Sequence, residues 1–185
     1  MKLTGIKVLD LSRFLPGSHL AMMMADHGAE VIKIEDTKAG DPVRYIGAES
    51  GGQTVYFRNA NRNKKSLSLD LKSEEGRELF MRLAENADVV LETFRPGVAT
   101  RLGIDYDSVK ARAPQIVYCS ISAFGQDGPY RDRPAHDLSV CALAGVAREV
   151  TLRDALLSPR LERVEHLCQH HRQARGVKVT STAQQ

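Results

Sequence analysis

KVLDLSRFLPGSHLAMMMADHGAEVIKIE, residues 7–35, holds two short apolar runs on either side of a helical stretch. The first run, Ile6 to Leu11, is bounded by Gly5 and Ser12; the second covers Glu30 to Ile34. His19 to His27 between them reads as a helix, with Ser18 placed to cap its start and Gly28 to close its end. Strand, helix and strand in so short a span predict a βαβ unit, which crosses over right-handed and pairs its strands in parallel. Met22, Met23 and Met24 read as core packing.

Outward from that unit the alternation continues. Residues 36–63 show no sustained period, and Gly40, Pro42, Gly47, Gly51 and Gly52 mark an extended loop. Ser66 to Leu71 alternates strictly, with Leu67, Leu69 and Leu71 on one face of a half-buried strand. Ser73 is placed to cap the next helix, Glu74 and Glu75 occupy its positively poled first turn, and Leu79, Phe80, Leu83, Ala84 and Ala87 share a face. A strand at Asp88 to Glu92, a short helix at Val98 to Leu102 ending at Gly103, a helix between Asp107 and Pro114, and a strand at Ile116 to Ile121 follow. The expected fold is α/β and Rossmann-like, a mostly parallel open sheet with helices on both faces. Ligands bind such sheets at the carboxyl ends of the strands, which selects three loops: Arg13 to Ser18, Thr93 to Gly97, and Ala123 to Asp137.

Composition narrows the classes. The 185 residues are 42% apolar, enough for one core, and length alone points to a single domain. Tryptophan is absent and aromatics are sparse, so no base-stacking platform for nucleic acid is indicated. The net charge of +3 arises from 26 basic and 23 acidic residues scattered along the chain, a pattern of mixed solvated surface that suits a small anion better than DNA. Cys119, Cys141 and Cys168 form neither a CxxC pair nor a metal-ligand spacing, which predicts reduced thiols, no metal site and a cytoplasmic location. No apolar run has the length of a signal peptide core or a membrane span.

Two of these loops, and the NRNKKS segment ahead of a strand, each carry a chemistry and an ordinary structural alternative. RFLPGS sets Pro16 and Gly17 against a helix N-terminus that can receive a phosphate or carboxylate, although no GxGxxG or Walker pattern accompanies it. NRNKKS, Asn61 to Ser66, concentrates three cations that can hold phosphates or simply be solvated. In SISAFGQDGPYRDRPAHD, Ser120 to Asp137, a neutral imidazole such as that of His136 beside Asp137 can abstract a proton as a general base or serve structure alone.

The order of four segments resembles one family closely: KVLDLSRFLPGSHLAMMMADHGAEVIKIE, NRNKKSLSLDL, ADVVLETFRPGVATRLGIDY and PQIVYCSISAFGQDGPYRDRPAHD are similar to the amino-terminal part of the family III CoA-transferases of CaiB/BaiF type. Formyl-CoA and carnitine-CoA transferases belong to it, with the α-methylacyl-CoA racemases as a close branch. The resemblance runs from Leu3 to Val146 and implies an amino-terminal CoA-binding domain and a homodimer of two interlocked ring-shaped chains. It implies CoA contacts on the loop after the first strand, at Arg13 and Phe14, and on the residues matching Leu69, Thr93, Phe94, Arg101 and Leu102. Phe94 would cover the adenine while Arg101 and the NRNKK cations meet phosphates; Asp36 stands where the family often has a basic phosphate contact. Coenzyme A and acyl-CoA enter as substrates with a small carboxylic acid, and no prosthetic group is implied. The family's transferases use an aspartate nucleophile, the racemases a histidine and an aspartate, and His136 with Asp137 are the catalytic candidates that match the racemase-like motif.

The family places the nucleophilic aspartate some thirty residues beyond that motif in a glycine-bearing turn. From Ala147 onward this chain reads AREVTLRDALLSPRLERVEHLCQHHRQARGVKVTSTAQQ, where Asp154 lies too early and between Arg153 and Ala155. The tail, residues 147–185, is therefore read as a frameshift product or alternative join on an incomplete domain. Its alternative is an amphipathic helix carrying Leu156, Leu157, Leu161, Val164 and Leu167. The expected activity is transfer of CoA between a thioester and an acid, with racemase chemistry and non-catalytic CoA binding as alternatives.

Overall fold

The chain alternates strand and helix from its first residues. In the computed structural model, which describes residues 1–144, β1 (Lys7–Asp10), α1 (Pro16–Asp26) and β2 (Glu30–Glu35) form the expected βαβ unit. Its strands are parallel, with Val8 beside Val31 and Asp10 beside Lys33. Ser18 does not cap α1. The helix begins at Pro16, whose fixed φ and missing N–H suit a first turn, and Ser18 is buried with its hydroxyl 3.3 Å from that of Ser12.

Residues 36–63, expected as loop, contain three elements: a 3₁₀ turn at Pro42–Tyr45, a hairpin of β3 (Glu49–Ser50) and β4 (Gln53–Thr54), and the helix α2 (Val55–Asn61). Buried Thr54 organises all of them, because its Oγ1 accepts the Phe57 N–H at 3.1 Å and donates to the Val43 carbonyl at 2.6 Å. β5 (Lys64–Ser68) starts earlier than the leucine alternation suggests, and of the three leucines Leu69 is buried while Leu67 and Leu71 are half-buried.

α3 (Glu74–Ala84) starts as expected, Ser73 Oγ accepting the Gly76 N–H at 3.0 Å. Its inner face is Phe80, Met81 and Ala84, whereas Leu79 points outward at 40% exposure, one position off the buried stripe. β6 (Val89–Glu92) and α4 (Val98–Leu102) follow, the latter closed by Gly103 at φ +66°. α5 (Tyr106–Arg112) is capped by Asp105, two residues before the expected start, through the Ser108 N–H at 2.9 Å. β7 (Val117–Ser120) completes the sheet, and α6 (Asp137–Leu143) begins at the end of the long loop.

The sheet order is β5-β2-β1-β6-β7, with every pair parallel. The chain runs outward from β1 to one side, then restarts on the other, so β1 and β6 flank the switch point at which such sheets open a crevice. Ala21 and Ala25 of α1 pack on Val8, Val31 and Leu91; on the opposite face Phe80, Met81, Val109 and Ala113 of α3, α5 and the turn after it pack on Leu9, Ile34 and Val90. Met22 is buried and Met24 packs on the α1 side, but Met23 is 46% exposed on the helix's solvent face and is not core.

The α1 side also buries charge. Lys64 Nζ meets Asp10 Oδ2 at 2.9 Å, and Lys33 Nζ meets Asp41 Oδ2 at 2.7 Å and donates to the Ser12 carbonyl at 2.8 Å. Glu35 takes a bidentate pair from Arg44, both bonds at 2.7 Å, and the Ser66 hydroxyl at 2.7 Å. Arg44 lies over the Phe57 ring at 3.8 Å. Three acids and three bases balance, so the cluster carries no net charge.

Residues 1–132 form one unit and the described residues from 133 onward belong to a second. The Val146 boundary, Asp154, Cys168 and the helical reading of the tail lie outside the described residues. Cys119 and Cys141 are free and half-buried.

Candidate functional site

At the switch point the loops after β1 and β6 are tied together. The Arg13 N–H donates to Thr93 Oγ1 at 2.9 Å, and the Thr93 hydroxyl faces the Arg13 carbonyl at 3.5 Å. Between these loops Gly17 allows a close approach that no other residue could match: a Cβ there would lie 2.4 Å from Ser12 Cβ and 2.6 Å from Thr93 Cγ2. Phe14 is held at φ +60°, in the left-handed region that residues with a Cβ rarely enter, and its ring is 47% exposed.

The other residues singled out by resemblance divide by depth. Phe94 is half-buried against the core, and its N–H donates to Glu92 Oε2 at 2.6 Å. Leu102 packs on the same core, and Arg101 in the last turn of α4 is exposed. The Leu69 side chain is core at 8% exposure, while its N–H donates to the Glu35 carbonyl at 2.9 Å. Asp36 Oδ1 accepts the N–H groups of Ala39 and Lys38, which lower its carboxyl, and the charges of Arg13 and Lys72 lower it further. Arg13, Lys72 and Arg95, just past the carboxyl ends of β1, β5 and β6, and Arg101 in α4 are all exposed, and none has an ion-pair partner among the described residues.

The NRNKKS cations behave differently. Arg62 pairs with Asp26, Lys65 with Glu30 at 2.5 Å, and Lys64 with Asp10 inside the fold. Burial lowers the Lys64 ammonium's pKa and the Asp10 charge opposes that shift. Lys64 is committed inside the fold, whereas the Arg62 and Lys65 pairs lie at the surface, where an ion pair holds its partners weakly.

Glu92 is not among the candidate residues that the sequence reading selects. It ends the apolar strand β6 at 3% exposure, and burial raises its carboxyl above the ordinary range against the Ser120 and Phe94 donors. With Arg95, Thr100, Tyr106, Tyr118 and Gln126 it lines a cleft of about 510 Å³. A carboxylate closing a wholly apolar run is the signal that marks it. The third loop is shaped by the Ser122 hydroxyl bonded to the Gly125 carbonyl at 2.8 Å and by Gln126 donating to Ser120 Oγ at 2.7 Å. In the second unit, His136 precedes α6 without a capping bond and Asp137 opens that helix; both side chains are exposed. Among the described residues no cluster of His, Cys, Asp and Glu suits a metal, and no helix is long and apolar enough to cross a membrane.

The sequence profile of CoA-transferase family III matches residues 3–155, past the Val146 boundary that the motifs suggested. The chain belongs to CoA-transferase family III. It is 42% identical over 153 residues to an acyl-CoA transferase of Fusarium pseudograminearum, covering 78% of this chain and 34% of that protein. It is 40% identical over 150 residues to a succinate–glutarate CoA-transferase of Agrobacterium fabrum, covering 77% and 38%. Among solved structures, a CAIB/BAIF family protein from Brucella suis superposes with a TM-score of 0.74 at 42% identity, over 78% of this chain and 39% of that one. A protein from Mycobacterium tuberculosis gives 0.73 at 33% identity over 94% and 52%. The family III chain thus spans between a third and two fifths of the length of these curated relatives.

Proposed function

We propose that this stretch holds coenzyme A at the β1/β6 switch point, as the CoA-binding part of an enzyme that moves CoA between an acyl-CoA thioester and a small carboxylic acid. The observation that carries the reading is the set of four exposed cations without ion-pair partners, Arg13, Lys72, Arg95 and Arg101, around two tied loops, where the fold opens its crevice. Lys33 and Lys64 of the same sheet are each matched by a buried carboxylate. Exposed guanidinium and ammonium groups outside ion pairs suit the phosphates of a nucleotide. Half-buried Phe94 beside them offers an aromatic surface to a base.

The reaction class fits such a site. CoA leaves one acyl carbon and is taken up by another, so the protein must retain the nucleotide while the acyl group changes. The relatives named above are acyl-CoA or CoA-transferases, which favours that chemistry over α-proton exchange at His136 and Asp137. Domain limits of 1–146, assembly as a homodimer and a cytoplasmic location remain part of the proposal.

Isothermal titration of the protein with CoA tests it. Saturable binding that weakens with added salt and loses about tenfold or more in Arg101→Ala is expected, the loss of one bond to a charged group. Absence of heat at millimolar CoA would overturn the reading. Loss of α-deuterium from an acyl-CoA, abolished by His136→Ala, would replace the transferase with the racemase.

A further inference from the structure

The geometry points to Thr93 as a positioning residue whose hydroxyl holds the loop after β1 in its ligand-ready shape. The inference rests on the proposed CoA site and assigns a role within it. Thr93 and Arg13 are 80 positions apart, yet the Thr93 oxygen receives the Arg13 N–H at 2.9 Å and faces the Arg13 carbonyl at 3.5 Å. Both polar groups of one exposed residue's main chain are thereby addressed by a single side chain.

What that bond holds is unusual. The next residue, Phe14, is left-handed at φ +60° without being packed in either core cluster: it is 47% exposed, and the following Leu15 is 55% exposed. A strained conformation persists only where its surroundings fix it. Among the described residues, the tie to Thr93 is the one hydrogen bond across the crevice that holds the main chain beside Phe14. The methyl branch of Thr93 has a separate task, since it closes on Gly17 so tightly that a Cβ there would sit 2.6 Å away. One branch therefore seats the first turn of α1 and the other sets the loop, and the loop places Arg13 at the mouth of the crevice.

Two variants separate the branches. Thr93→Val keeps the shape and removes the hydroxyl; Thr93→Ser keeps the hydroxyl and removes the methyl. The first readout is hydrogen exchange of the Arg13 amide in ligand-free protein, the second is CoA affinity by titration, and far-UV circular dichroism checks that each variant is folded. Thr93→Val is expected to speed Arg13 exchange and to weaken CoA by about tenfold, the loss of one hydrogen bond, whereas Thr93→Ser stays near the parent in both. Unchanged Arg13 exchange in Thr93→Val overturns the tie. Faster exchange with unchanged CoA affinity overturns the positioning role. Loss in Thr93→Ser with retention in Thr93→Val would assign the effect to the methyl and overturn the inference. If the parent protein binds no CoA, the CoA reading fails and the positioning role falls with it, while the exchange result still decides whether the tie exists.

Discussion

Replacing Lys64 with methionine should damage this fold more than most single changes. Lys64 Nζ gives three bonds: to Asp10 Oδ2 at 2.9 Å, to the Ser18 carbonyl at 2.8 Å and to Asn61 Oδ1 at 3.0 Å. The side chains of Lys64 and Asp10 are 2% and 0% exposed, so solvent cannot substitute for either partner. At 2.9 Å and an effective dielectric of about 20, the attraction amounts to about 6 kcal/mol before the cost of removing both ions from water is subtracted. Methionine fills the space of the stem but leaves the Asp10 carboxylate buried and uncompensated. The expected loss is about 3–5 kcal/mol, a large part of the 5–15 kcal/mol or so that holds a typical domain together. Urea denaturation followed by far-UV circular dichroism measures it, as a lower midpoint with unchanged slope. Asp10→Asn combined with Lys64→Met should cost less than the sum of the two single changes, because the pair is coupled. A loss below about 1 kcal/mol for Lys64→Met would refute the claim that an unpaired charge is left behind.

Acid should expose the second buried pair. Burial alone would raise Glu35, but the Arg44 fork with the Ser66 hydroxyl and the Asp41 N–H brings it to about 2 from an ordinary 4.5. The folded state therefore binds the proton less readily than the unfolded one. The stabilisation is complete above pH 4.5 and is lost as pH falls from there towards 2. Thermal melts should show a shallower decline over that window in Glu35→Gln, and an identical decline would contradict the assignment. Gly17→Ala should cost at least about 1–3 kcal/mol, since the added methyl meets Ser12 Cβ at 2.4 Å and Thr93 Cγ2 at 2.6 Å. An alanine variant with the parent's melting temperature would show that the loops at the switch point can part without penalty.

The parts of the fold legible in the sequence are those written in short-range pattern. The runs around Val8, Val31 and Val90, the Ser73 cap and the glycine stop at Gly103 each occupy a few consecutive positions, and all reappear. The Thr54 cap escaped notice because a single hydroxyl organises the turn at Val43 and the start of α2 without any periodic apolar set. The ion pairs were illegible for a different reason. Lys64 and Asp10 are 54 positions apart, so nothing in NRNKKS shows that its cations already have carboxylate partners. The candidate site was legible as a set of loops, because strand ends follow from strands. The tie between Arg13 and Thr93 was not, since only the strand order brings those two loops side by side.

The buried ions on the α1 side of the sheet also act as an alignment key. Asp10 lies beside Lys33, and Lys33 beside Ser66, with one polar position from each of three neighbouring strands in a row. Sliding β1 or β2 by one residue would turn Asp10 or Lys33 onto the face filled by Phe80, Met81 and Ile34, away from Lys64 and Asp41. Apolar runs rich in valine and isoleucine would tolerate such a slip with modest loss. An unpaired ion would not, so wrong registers are penalised far more heavily than the right one is rewarded.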